Sequence, residues 1–350
     1  MDAELIRPLA ELRREDDRLF GGKSASLGEL MAGGIPVPPG FALSAQAYRN
    51  VLQEAGLEKL VARTLEGLDP EDVRALDSAS KAIAGALRAR PLPDALRDRI
   101  TVAYEVLGDA PPVAVRSSAL GEDAADATFA GQQETYLWLR GADAVCEAVR
   151  DCWASLHSPP AISYRARLAR DAEEPAMGVT VQVMVDAAVS GVMFTCNPVS
   201  GDPSTVAINA SWGLGQAVVG GEVTPDEYRV SKVSGDVLHR TVNDKHLEYV
   251  PGDSGGAVSV EVPAERRREP CLDDERLGVL LEVARRVERH FGSHQDIEWA
   301  IAREGRIPSS LFMLQSRPVT TAPAKPSEPK ARSAMDLVMG TFGARPGRGA

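Results

Sequence analysis

The chain has 350 residues, 44% hydrophobic and 25% charged, which is enough to bury a core shared by two or three packed subdomains. Its formal net charge of -11 argues against nucleic acid or an anionic membrane as partner, because either needs a basic face to displace counterions. No run approaches about 18 apolar residues, and the acidic N-terminus lacks the basic and apolar regions of a signal peptide, so a cytoplasmic protein is expected.

Along the chain, GGKS at Gly21 to Ser24 invites a phosphate-loop reading, but Asp17 stands where that motif needs its first glycine. The stretch reads instead as a glycine turn into a helix, Ser24 to Met31, stopped by Gly33 and Gly34. Lys23 then sits at the helix N-terminus, where backbone donors favour phosphate; a solvated surface lysine is the plain alternative. The prolines of Ile35 to Ser44 predict an extended edge segment. Ala45 to Leu107 has helical periodicity with breaks near Gly56, Gly67 to Pro70 and Arg90 to Pro93.

Val113 to Val115 and Thr135 to Trp138 predict two strands joined by a loop of small residues. Such a loop can lay backbone N–H groups along a polyphosphate, with Gly131 allowing close approach, Thr135 offering a hydroxyl and Arg116 fixed positive charge. An ordinary polar hairpin is the other reading. Two helices follow, about Asp143 to Leu156 and Ala161 to Asp171. Next comes a strand in which Met177, Val179, Val181, Val183 and Val185 alternate with small or polar residues. Gly191 to Thr195 and Thr205 to Asn209 predict two more strands. Ser259 to Pro270 reads as a charged connector, and Asp273 to Phe291 as an amphipathic helix buried through Leu277, Leu280, Leu281, Ala284, Val287 and Phe291.

Near the end, DIEWAIA alternates so that Glu298 projects opposite to Ile297 and Trp299, and SLFMLQSRPVT places Gln315 and Arg317 on one face. If these strands are neighbours, Glu298 and Gln315 present hard oxygen donors side by side, as suits Mg²⁺ carried on phosphates, and Arg317 can neutralise a transferring group. A cross-strand Glu–Arg pair on a solvated face is the alternative. The four cysteines, Cys146, Cys152, Cys196 and Cys271, form no CxxC pair, which argues against disulfides and structural zinc. From Ala322 the sequence turns into a Pro, Lys and Ser linker.

RSSAxxED with FAGQQETYL resembles the N-terminal nucleotide-binding domain of the phosphoenolpyruvate synthase (pyruvate, water dikinase), pyruvate, phosphate dikinase and rifampin phosphotransferase family. GGKSASLGELMAGGIPVPPGFALS, GVMFTCNP, NASWGLGQAVVGGEVTPDEYRV, QDIEWAI and LQSRPVTT resemble the same family in the same order. The resemblance implies an α+β fold of ATP-grasp type, with ATP between two subdomains and an N-terminal helical region. Residues 1–176 would form the first subdomain, 177–322 the second, and 323–350 a flexible tail. It further implies Lys23, Arg116 and Arg317 as catalytic contacts to phosphate. Gly131, Gln132 and Thr135 would cradle the nucleotide, Gln182 and Met184 would face adenine, and Glu298 with Gln315 would hold Mg²⁺.

The implied activity cleaves ATP to AMP and phosphate and passes the β-phosphate to a histidine. The family's TxHAxxxxRE histidine segment does not occur here, so that histidine is expected on a separate partner protein, with pyruvate as final acceptor. A phenol- or antibiotic-phosphorylating relative, an ADP-forming ATP-grasp ligase and a non-catalytic nucleotide-binding partner stay open. Gln216 stands where the family's GLGE segment usually has glutamate, which leaves that position out of the catalytic set.

Overall fold

The computed structural model describes residues 5–120, 134–168, 176–252 and 255–319. All of them belong to one compact unit that ends at Val319. Gly131, Gln132 and the expected tail lie outside the described residues.

The chain opens with a short strand, β1 (Ile6–Pro8), a helical turn α1 (Asp17–Phe20) and the helix α2 (Gly22–Ala32). Then come β2 (Gly40–Leu43) and four helices, α3 (Ala45–Glu54), α4 (Glu58–Leu65), α5 (Val73–Arg88) and α6 (Asp94–Glu105). The helix α5 starts where the Asp72 carboxylate accepts from the backbone N–H groups of Arg74 and Ala75, satisfying two of its free donors. The strands β3 (Val113–Ala119) and β4 (Thr135–Leu139) precede α7 (Ala142–Ser155), α8 (Pro159–Leu168) and β5 (Met177–Val183).

These strands make one sheet in the order β1-β2-β5-β3-β4. Its outer face packs on the helices through Tyr48, Ile83, Ile100, Val149 and Trp153, joined by the alternating Met177, Val179 and Val181 of β5. The segment expected at an edge is interior: β2 is buried throughout and pairs with both β1 and β5. The prolines precede the strand and do not interrupt it, and the three-residue β1 covers its free side.

A second sheet has the order β13-β12-β6-β7-β8-β9. It is built from β6 (Ala187–Phe194), β7 (Thr205–Trp212), β8 (Asp226–Ser231), β9 (Val237–Thr241), β12 (Gln295–Ala302) and β13 (Leu311–Pro318). A turn of helix, α9 (Gln216–Val219), follows β7, and a separate hairpin, β10 (Leu247–Pro251) with β11 (Ala257–Glu261), precedes α10 (Asp274–Phe291). That hairpin occupies part of the expected connector. Asp273 caps α10 by accepting from the Arg276 N–H, and Gly292 closes it in the left-handed conformation, φ 69°.

One face of the second sheet buries Met193, Ile208, Ile297, Trp299 and Met313 against α2 and α10. The strand β5 belongs to the first sheet, so the two sheets part after Val183, and Met184 to Asp186 carry the chain across to β6. Beneath β8, Lys245 and Asp226 form a fully buried ion pair at 2.6 Å. Asp226 also accepts from the N–H groups of Asn243 and Cys271, so its oxygens are satisfied without water.

Candidate active site

The helix α2 begins against the first sheet. Gly21, with φ +82°, leads into it, and a Cβ there would lie 2.3 Å from the Ser118 carbonyl oxygen. Only glycine lets this turn approach β3 so closely. The helix therefore starts at Gly22, earlier than the expected Ser24, and Lys23 occupies its first turn. The lysine is 7% exposed, and its Nζ donates to the Ser117 carbonyl at 3.1 Å. Two serines tie the same helix to both sheets. Ser24 shares a hydroxyl–hydroxyl bond of 2.7 Å with Thr180 on β5, and Ser26 donates to the Ser316 carbonyl on β13 at 2.5 Å.

Opposite the core face of the second sheet lies a cleft of about 380 Å³ that also touches the first sheet. Arg116, Thr135 and Gln182 line it from the first sheet, Glu298 and Ala300 from the second, and Met184 from the crossing between them. Its apolar end is a small cluster of Trp138, Val185, Ala187, Leu214 and Ala300, with Met184 and Tyr249 packed against it. Trp138 holds a left-handed φ of 59° inside β4, a strained conformation for a bulky residue that turns its ring toward this cluster. Gln182 is 3% exposed, and its Nε2 has no hydrogen-bond partner. A buried amide donor without a partner on a cleft wall is costly unless a ligand accepts from it.

The opposite end is charged. A second cavity of about 260 Å³ is lined by Asn209, Asp296, Glu298, Gln315 and Arg317, and it shares Glu298 and Val219 with the cleft. Glu298 and Gln315 stand directly opposite each other on β12 and β13. A register shift beside Glu298 sets Trp299 against Met313, so Leu314 and Gln315 are consecutive residues that line the cleft and the cavity. Arg116 reaches across from the first sheet. Its Nη2 donates to Glu298 Oε2 at 3.0 Å and to Gln315 Oε1 at 2.8 Å, while Nη1 donates to the Leu314 carbonyl at 3.1 Å.

Arg317 does not pair with Glu298; its Nε donates to Asp296 Oδ2, the residue opposite it in register, at 2.8 Å. Burial pushes the Asp296 carboxyl above its usual range, and the neighbouring Arg317 pulls the other way. Asp296 is a further residue of this cavity, and its signal in the sequence is the two-residue period of β12, which puts it on the same face as Glu298.

The structure thus brings Arg116, Thr135, Gln182, Met184 and Glu298 around one cleft and Gln315 with Arg317 around its charged end. Lys23 lies one residue further along β3, through its bond to Ser117. Gln216, at the start of α9, also lines the cleft and has a buried Oε1 without a partner. For a divalent cation the donor set is one carboxylate and one amide oxygen side by side, a hard-oxygen pair that fits Mg²⁺ retaining waters and phosphate oxygens. No group of three or more His, Cys, Asp or Glu able to hold a metal occurs among the described residues. All four cysteines are buried and free. Away from the cleft, His290 Nε2 shares a 2.9 Å hydrogen bond with Glu29 Oε2. No helix among the described residues is long and apolar enough to cross a membrane.

Residues 17–336 match the family described as pyruvate phosphate dikinase, AMP/ATP-binding domain. A probable phosphoenolpyruvate synthase of Methanothermobacter thermautotrophicus is 42% identical over 342 residues, 96% of this chain and 49% of that protein. The phosphoenolpyruvate synthase of Deinococcus radiodurans is 41% identical over 328 residues, 91% of this chain and 42% of its own length. Among solved structures, PH1788 from Pyrococcus horikoshii aligns with TM-score 0.32 and 13% identity over 74% of this chain and 97% of its own. The chain spans less than half the length of these two synthases. By the extent of the family match, which takes in every strand but β1 and every described residue of the cleft, this chain belongs to the pyruvate phosphate dikinase AMP/ATP-binding domain family.

Proposed function

We propose that the chain is the ATP-binding part of a phosphoenolpyruvate-synthase-like phosphotransferase, an ATP-grasp fold whose two sheets hold ATP in the cleft between them. The observation that carries this reading is the polarity of the cleft. One end is apolar and offers the unpartnered amide of Gln182; the other gathers Arg116, Glu298, Gln315 and Arg317. A nucleotide has that same polarity, with a flat base at one end and a polyanion at the other.

In this reading Gln182 donates to the base and Met184 lies against it. Arg116, Arg317 and Lys23 neutralise the phosphates, and Thr135 offers a hydroxyl beside Arg116, its partner in register. Mg²⁺ held by Glu298 and Gln315 would neutralise charge on the bridging phosphate oxygens. The protein's own contribution is positioning. Both sheets contribute side chains to each end of the substrate, and α2, bonded to both, ties them together.

ATP and water give AMP and inorganic phosphate: a histidine supplied outside these 350 residues takes the β-phosphoryl group as the bond to AMP breaks, water takes the γ-phosphoryl group to form inorganic phosphate, and pyruvate is the final acceptor. The names of the relatives support the acceptor, and the absence of TxHAxxxxRE from this sequence supports the outside histidine. The test is product analysis. Incubated alone with Mg-ATP, the chain should bind nucleotide and turn over little. With the histidine-bearing remainder of a relative added, AMP and phosphate should accumulate, and label from the β-position should appear as acid-labile phosphate on the added protein. Rapid ADP formation by the chain alone would reject this reading for a ligase or simple kinase.

A further inference from the structure

The two oxygens that suit a metal are already engaged. One guanidinium nitrogen of Arg116 bridges Glu298 Oε2 and Gln315 Oε1, and a second holds the Leu314 carbonyl. The Arg116 side chain is 14% exposed and that of Glu298 32%, so this is a partly buried contact linking both sheets, held by three bonds from one guanidinium. The second carboxylate of the cavity, Asp296, accepts one bond from Nε of Arg317, whose side chain is itself more than half exposed. A bare divalent cation arriving here meets the held charge of Arg116 and finds Glu298 Oε2 and Gln315 Oε1 already accepting from it.

Arg116 is nevertheless incompletely satisfied where it stands, because its buried Nε has no partner. A phosphate group presents several charged acceptors at once and is a stronger partner for a guanidinium than an amide oxygen and a carbonyl. We propose that Arg116 is a placeholder for the metal. Without nucleotide it keeps divalent cations off Glu298 and Gln315; a triphosphate draws the guanidinium to itself and frees both oxygens, so the cation enters only together with phosphate. The proposal rests on the nucleotide reading of the cleft and adds an order of assembly to it.

The test follows Mn²⁺ by electron paramagnetic resonance, with and without ATP, on the full chain. Wild type should take up Mn²⁺ weakly by itself and strongly as Mn-ATP. Arg116→Met should bind Mn²⁺ alone at least about tenfold more tightly than wild type, since a like charge is removed from the site. Adding Glu298→Gln should abolish that gain and so locate it. Arg116→Lys, whose single ammonium cannot form the same fork, should fall between the two and guards against a methionine variant that fails to fold.

The placeholder is overturned if wild type binds Mn²⁺ alone as tightly as Arg116→Met does, with that binding lost in Glu298→Gln. It is equally overturned if both Arg116 variants fold and neither gains affinity. Failure of the nucleotide reading has a separate signature: Mn-ATP and metal-free ATP would both leave the wild-type chain unbound, whatever Mn²⁺ does alone.

Discussion

Gln182 occupies a wall of the cleft with a donor that the fold leaves unused. Replacing it by leucine changes side-chain volume little and removes no protein hydrogen bond made by that nitrogen. The fold should persist while ATP affinity falls about five- to tenfold, the worth of one ligand hydrogen bond of about 1 kcal/mol. Isothermal titration of wild type and Gln182→Leu checks this; equal affinities would remove the amide from the binding site. At this scale much was legible in the sequence. Alternation alone put Glu298 on the face opposite Ile297 and Trp299, because side chains of a strand point to opposite faces. Partners were not legible. Glu298 is met by Arg116, 182 residues earlier, and Arg317 by Asp296, because pairing follows tertiary placement and strand register and no local rule gives either.

At the scale of elements, the approach of α2 to β3 through Gly21 decides where Lys23 sits. Gly21→Ala would place a methyl group against the Ser118 backbone and impose a positive φ on alanine. A loss of at least about 2 kcal/mol is expected in urea unfolding, from strain and overlap together. Gly278→Ala is the control, since nothing lies within 4 Å of its added Cβ inside α10; it should stabilise by up to about 1 kcal/mol. The long amphipathic α10 was readable because its apolar spacing and its Asp and Gly caps agree. The strands β8, β9, β10 and β11 were not singled out, because β8, β9 and β11 carry charged residues on an exposed face and β10 buries its one charged residue, Glu248, between half-buried neighbours. The interior position of β2 depended on β1, three residues too short to show a period.

For the molecule as a whole, acid stability has a marked contributor in the helical layer. His157 is fully buried, and its Nε2 shares a 2.7 Å hydrogen bond with the Tyr48 hydroxyl. Burial, helped by the charge of Arg165, pulls its pKa down to about 3, against 6.5 for an ordinary histidine. Between those values the unfolded chain binds a proton that the folded chain refuses. Stability therefore rises with pH across that window and is lost as pH falls below about 6.5, by up to about 1.4 kcal/mol per pH unit for one proton. Chemical denaturation between pH 7 and 5, above most carboxylate titration, should show this slope, and His157→Gln should flatten it. An unchanged slope in the variant would place the linkage elsewhere.

Because α2 is fastened to Thr180 on one side and to Ser316 on the other, neither sheet can retreat from its neighbour by sliding. Any gaping that keeps both fastenings is a swing about an axis running along that helix. The lysine it carries lies beside the pivot and travels least.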